Sequence, residues 1–211
     1  MRRNYSETMP AMLTAQEAEG DYTVPVPESG STLLWGDWPL YEKLDELLGG
    51  TGARVRFLDN VIEIMAPHSS DHEFKKGIIG RLVESYCRVK GIRFSTFGNM
   101  TLKHEEKEAG GEPDECYCFS ENKEIPDLAI EVALTSGGIN KLSFYGKFNV
   151  REIWIWRKGT LTAYVRNPEG GYTASNESTV LPGLSLADIE ACVALEYTSD
   201  AIAEFEKRLG E

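Results

Sequence analysis

PDLAIEVALTS, residues 126–136, sets a single acid, Glu131, inside an otherwise apolar run that Pro126-Asp127 opens. Read as a strand, it puts Asp127, Ala129, Glu131 and Ala133 on one face and Leu128, Ile130, Val132 and Leu134 on the other. Glu131 then points away from the greasier face of a half-buried strand. A carboxylate left there without a partner costs about 3–5 kcal/mol, so a cation or a hydrogen-bond donor is expected beside it. Thirteen residues upstream, Pro113-Asp114 repeats the proline-aspartate pair, and Asp114 on a neighbouring strand could share that cation. The pattern looks like a metal site carried on a β-sheet.

The flanking segments supply the rest of an α/β chain. DWPLYEKLDELLGG starts with Asp37 as a helix cap, has Leu40, Leu44, Leu47 and Leu48 at helical spacing and stops at Gly49-Gly50. RVRFLDNVIEIM reads as a β-hairpin around Asp59-Asn60, its apolar side chains alternating with Arg54, Arg56 and Glu63. From Asp71 to about Val89, Phe74, Ile78, Ile79, Leu82, Val83 and Tyr86 keep a helical period that Gly91 ends. Ile92 to Leu102 is strand-like, and KHEEKEAGGE reads as a charged loop before PDECYCF. Beyond Glu131 the sequence predicts a helix over NKLSFYGKF, a hairpin of EIWIW with TLTAYVR, a Gly170-Gly171 turn and a last helix from about Ser199 to Leu209. Residues 1–30 are polar and lack a sustained period, which suggests an arm that is flexible or drapes over a partner; residues 31–211 suit one domain.

With 22 Lys+Arg against 34 Asp+Glu the formal charge is −12, so the mean field repels polyanions and any nucleic-acid contact must be local. No apolar run is long enough to span a membrane and the start lacks the apolar core of a signal peptide, from which a soluble cytoplasmic protein is expected. Cys87, Cys116, Cys118 and Cys192 form no CxxC pair. They read as reduced, buried thiols, although Cys116 and Cys118 share a strand face with Asp114 and leave a soft-metal site open.

The ordered set VIEIMAPHSSDHE, FGNMTLK, GEPDECYCF, IPDLAIEV, NKLSFY, VREIWIW and LPGLSL resembles the Uma-type restriction endonuclease family, a branch of the PD-(D/E)xK nucleases, from about Trp38 to Val193. The resemblance implies a restriction-endonuclease-like mixed β-sheet flanked by helices, with the N-terminal helix and the hairpin as additions. It implies that Asp114, Glu131 and the backbone carbonyl of Val132 hold Mg²⁺ or Mn²⁺, an oxygen-rich shell suited to a hard cation. It also implies a DNA phosphodiester as substrate and a metal-activated water as nucleophile.

Superfamily members commonly carry a lysine two residues after the glutamate, where this chain has Ala133. Lys141, at the start of the next helix, matches a position where the family has a lysine or arginine, with Tyr145 one turn later on the same face. A migrated lysine is the expectation. His72-Glu73 matches the family's His-Glu step at the head of the long helix, from which an additional acid could reach the metal. The plainer alternative makes His72 a buried structural histidine and Glu73 a first-turn acid favoured by the helix dipole. Asp127 is expected to pair locally and Glu63 to lie on a solvated hairpin face. Lys75, Lys76 and Arg81 could track a phosphate backbone, or simply form a solvated helix face.

The leading expectation is a DNA endonuclease acting as a homodimer, since cutting two strands with one site per chain is simplest with two symmetric copies. A non-catalytic protein that kept the fold, or a hydrolase of a smaller phosphate or nucleotide, would also fit the acidic surface.

Overall fold

In the computed structural model, which describes residues 26–134 and 138–210, the chain opens with β1 (Ser31–Trp35), α1 (Trp38–Leu48), β2 (Arg54–Leu58), β3 (Val61–Met65) and α2 (Ser70–Lys90). Short strands follow: β4 (Phe94–Thr96), β5 (Leu102–His104), β6 (Ala109–Gly111), β7 (Glu115–Phe119) and β8 (Leu128–Val132). The chain closes with α3 (Lys141–Phe148), β9 (Glu152–Arg157), β10 (Thr160–Arg166), β11 (Tyr172–Ser175), α4 (Leu186–Val193) and α5 (Thr198–Leu209). This is the mixed α/β architecture the sequence implies, with two sheets. No helix among the described residues is long and apolar enough to cross a membrane.

The described residues form two compact units. The first holds residues 26–68, 102–111 and 138–140 and the antiparallel sheet β1-β3-β2-β6-β5. Its core joins Leu40, Tyr41, Leu44 and Leu48 of α1 to Val55, Phe57, Ile62 and Ile64 of the hairpin. Asp37 caps α1 by accepting from the Leu40 amide at 3.0 Å. Asp59 and Asn60, at φ 48° and 62°, make the two-residue turn whose twist matches the flanking strands. Of the arm expected over residues 1–30, residues 1–25 lie outside the described residues, whereas Val26 packs on this core and the Gly30 carbonyl accepts from Ala66 at 2.9 Å.

Two sequence expectations change here. The charged loop KHEEKEAGGE contains a hairpin: Leu102 pairs with Gly111, Lys103 with Gly110 and His104 with Ala109, and Glu108 turns the chain at φ 50°. The glycines are strand residues because neighbours occupy the space of a side chain; a Cβ at Gly110 would lie 2.5 Å from the Tyr41 ring. Glu63, read as lying on a solvated face, is buried, as is Arg56, and the register sets the two opposite each other on β3 and β2.

The second unit holds residues 69–101, 112–134 and 141–210 and the sheet β11-β10-β9-β8-β7-β4. All its pairs are antiparallel except β8 with β9, the strands that α3 connects. Helix α2 starts at the Ser69 cap, ends at Gly91 with φ 66°, and packs on α4, α5 and β8 through Ile78, Ile79, Leu82, Val83 and Tyr86. The strand expected over Ile92–Leu102 breaks after Thr96, where Gly98 takes φ 55° and Asn99 and Thr101 donate to the Glu112 carboxylate at 2.9 and 3.0 Å.

Candidate active site

Strand β8 lies between β7 and β9, and all five of its residues are buried. Glu131 is therefore wholly buried rather than half-buried, which raises the cost of its charge if no partner is present. Its partners come from α3. The Lys141 ammonium pairs with Oε2 and the Tyr145 hydroxyl donates to Oε1, so both carboxylate oxygens are held from one helix face. The connection from β8 to α3 sets this geometry: Lys141 is the first residue of the helix and Tyr145 lies one turn on.

Asp114 sits immediately before β7, which runs antiparallel to β8. The Val132 amide donates to its Oδ2 at 2.8 Å, fixing that carboxylate against the residue that follows Glu131. Nε2 of His72 donates to the same oxygen at 3.1 Å, and its Nδ1 lies 3.3 Å from Oε1 of Glu73. His72 is buried in the first turn of α2, while Glu73 is half exposed and also pairs with Lys76 at 2.6 Å. Lys141, Glu131 and Tyr145 thus form one hydrogen-bonded group and His72 and Asp114 another, the two meeting through the backbone where the Val132 amide bonds Asp114, and Glu73 touches the second group through His72. Two buried carboxylates offer hard oxygen donors, the donor chemistry a small divalent cation selects.

All four cysteines are buried and free, and burial pushes the Cys116 thiol up to about 12. At Ala133 the backbone amide continues the sheet to Trp156 at 2.8 Å.

Asp127 forms a separate local cluster. Lys123 donates to both of its oxygens at 2.9 Å, Arg151 reaches Oδ1 at 3.2 Å and the Phe119 amide reaches Oδ2 at 2.9 Å. Basic residues of α2 are also engaged: Lys75 donates to the Val193 carbonyl at 3.3 Å, Lys76 holds Glu73, and exposed Arg81 donates to the Gly77 carbonyl one turn back in its own helix, 2.8 Å away.

Glu152 was not singled out by the sequence. It is fully buried at the start of β9 and accepts from Trp154 Nε1 at 2.6 Å, from the Thr179 amide and hydroxyl at 2.7 Å each, and from the Val180 amide at 3.2 Å. Four donors satisfy it, which makes it a structural clamp on the segment before α4. An acid flanked by Val150, Ile153 and Trp154 was the available signal.

The family model Uma2, described as "Putative restriction endonuclease", matches residues 38–196. No curated protein matches. Among solved structures, the chain is similar to a crystal structure of a "putative nuclease" from Anabaena variabilis, with 11% sequence identity over 72% of this chain and 90% of that one and a TM-score of 0.43.

Proposed function

The chain belongs to the Uma2 family, and on that premise we propose that it is a divalent-metal-dependent endonuclease hydrolysing the phosphodiester bonds of DNA. The observation that carries this reading is Glu131, a fully buried acid in a central strand with an ammonium on one oxygen and a phenol on the other. A buried carboxylate so equipped, next to a second one fixed by a backbone amide, supports a cation-binding role better than a packing role.

Asp114 and Glu131, with the Val132 carbonyl, are the residues that would hold Mg²⁺ or Mn²⁺. Such an ion, when bound, lowers the pKa of a coordinated water and offsets the charge that builds on the phosphate oxygens. The other side chains keep the carboxylates in place and meet the substrate. Val132 and His72 fix Asp114 through Oδ2, and Tyr145 fixes Glu131 through Oε1. Lys141, partly exposed beside Glu131, would orient the attacking water or a phosphate oxygen, the task a strand lysine performs elsewhere in the superfamily. Glu73 adds an acid at the rim through His72.

With a net charge of −12 and with Lys75 and Lys76 already engaged within the protein, DNA contact would rest on few phosphates, among them those near Arg81. A homodimer would bring two such sites to the two strands. The test is cleavage of supercoiled plasmid at low salt with Mg²⁺ or Mn²⁺, beside Asp114→Ala and Lys141→Ala. Metal-dependent nicking lost in both variants supports the reading; no cleavage by the unmutated protein, together with no metal uptake by calorimetry, rejects it.

A further inference from the structure

Phe97 opens FGNMTLK, a segment without a carboxylate, and it is 39% exposed, whereas Phe94 packs against Tyr117 with ring centroids 6.2 Å apart. The pairing of β4 with β7 runs one residue past the strand, because the Phe97 amide donates to the Cys116 carbonyl at 3.2 Å. Cys116 in turn pairs with Ala129 of β8. Directly opposite residues share a face of a sheet, so Phe97, Cys116 and Ala129 form one row across it, and Glu131, two residues further along β8, lies on the same face. Asp114 is two residues from Cys116 towards the same end of the sheet. With neighbouring strands about 4.8 Å apart and residues about 3.4 Å apart along each, Phe97 stands about 8 Å from Asp114 and about 12 Å from Glu131.

A single exposed ring needs no explanation by itself. Two features set this one apart. Its backbone is tied down on both sides of Gly98: Phe97 bonds β7, while Asn99 and Thr101 donate at 2.9 and 3.0 Å to the carboxylate of Glu112, two residues before Asp114. Leu134, two residues past the end of β8, is also an exposed large apolar side chain, so the two stand at the ends of β4 and β8 with β7 and Asp114 between them. All of these residues belong to the second unit.

An apolar ring held beside a site for phosphate offers a surface to a base that has lost its stacking neighbour. Stacking of a base on an aromatic ring tolerates any sequence and needs no positive charge, so it adds affinity in a protein whose net charge of −12 repels the backbone. In an intact duplex the faces of the bases are covered, and a ring reaches one only after the base is extruded. We propose that Phe97 is a stacking platform for an unpaired nucleobase next to the phosphate at Asp114 and Glu131, so that the preferred substrate is single-stranded or locally opened DNA rather than intact duplex; this rests on the endonuclease reading of those two carboxylates.

The test reads binding apart from cleavage. The full chain is titrated, with fluorescence anisotropy as readout, into an end-labelled single-stranded oligonucleotide and into the matching duplex at low salt, with Ca²⁺ in place of Mg²⁺ as another cation that takes oxygen ligands. The single strand is expected to bind more tightly than the duplex. Phe97→Ala should weaken single-strand binding roughly five- to hundredfold, the loss of one base–aromatic stack, without changing the slope of affinity against salt, since no phosphate contact is removed. Phe97→Leu, which keeps an apolar side chain but no ring, should weaken it as well, and Phe97→Trp should stay near the unmutated affinity. If Phe97→Ala and Phe97→Leu bind the single strand as the unmutated protein does, or if the duplex binds as tightly as the single strand, the platform is wrong, while metal-dependent plasmid nicking that disappears in Asp114→Ala would leave the nuclease standing. Absence of both nicking and metal uptake would instead remove the reading on which the platform rests, and the proposal with it.

Discussion

Lys141 and Glu131 form an ion pair between the first residue of α3 and a fully buried position of β8. Nine residues of chain separate them, and the helix that carries the lysine is part of the connection between the only two parallel strands of the described sheets. The ammonium of this chain therefore reaches its glutamate from a helix, where alternation along β8 would have put Ala133.

Removing that ammonium should destabilise the protein even when no cation is bound. Lys141→Met keeps the stem but leaves a buried carboxylate without its counter-charge, which costs about 3–5 kcal/mol for a closed site. Because Lys141 is about one-fifth exposed, water can take part of its place, and about 2–3 kcal/mol is expected. Urea denaturation in chelator measures it. Adding Glu131→Gln should recover most of the loss, since no charge is then stranded; a Lys141→Met midpoint equal to the unmutated one would remove the pair as a structural element.

Tyr145→Phe isolates the other oxygen of Glu131. The ring is fully buried and packs edge-on against Phe144, so phenylalanine fits the same space and only the hydroxyl is lost. Leaving Oε1 without that donor is expected to cost about 1–3 kcal/mol and to lower kcat more than it raises KM. Unaltered stability together with unaltered kcat would make the hydroxyl a bystander.

What the sequence made readable follows from where each signal is local. Asp37 and Gly91 sit at helix ends where capping is decided within three or four residues, and α1 and α2 appear where the pattern puts them. The approach of Lys141 and Tyr145 to Glu131 was also readable, because two helical residues four apart share a face and the family order of motifs placed them after the strand. Glu63 was misread for a tertiary reason. Alternation says that it faces away from Ile62, but not that the second face of the hairpin is covered too. The flanks of Glu63, all apolar in VIEIM, resemble those of Glu131 and could have raised the same question. The strand β1 went unnoticed because STLLW is short, lies at a sheet edge and owes its place to its register with β3.

Asp127 should dominate an acid-sensitive part of stability that is independent of the proposed site. Burial opposes its ionisation, but Lys123, the Phe119 amide and Arg151 outweigh that and hold the carboxyl below its usual range. The folded pKa being the lower one, the stabilisation is fully present above the unfolded value of about 3.9 and is lost as pH falls through the folded value. Asp127→Asn should therefore be less stable than the unmutated protein at pH 7, by about 1–3 kcal/mol, and the gap should narrow as pH falls through the folded value. Thermal melts from pH 7 to pH 2.5 decide it; a gap that stays constant with pH would mean that the charge of Asp127 contributes nothing.

Gly110→Ala tests the hairpin that the sequence took for a loop. Alanine costs little in an exposed charged loop, and replacing a flexible glycine can even stabilise by about 0.4–1 kcal/mol through the unfolded chain. In the strand β6 the outcome reverses, because the new methyl would lie 2.5 Å from ring atoms of Tyr41. Tyr41 is 1% exposed, stacks on Phe57 with centroids 5.5 Å apart and carries the Lys103 ammonium 4.9 Å from its ring centroid, so it has no open space into which to retreat. Overpacking of this kind costs about 1–3 kcal/mol. The expected result is a lower urea midpoint for Gly110→Ala, relieved when Tyr41→Leu is added, because the smaller side chain vacates the contact. A stabilised Gly110→Ala would mean that the segment is the loop its composition suggests, and that Tyr41 does not pack on β6.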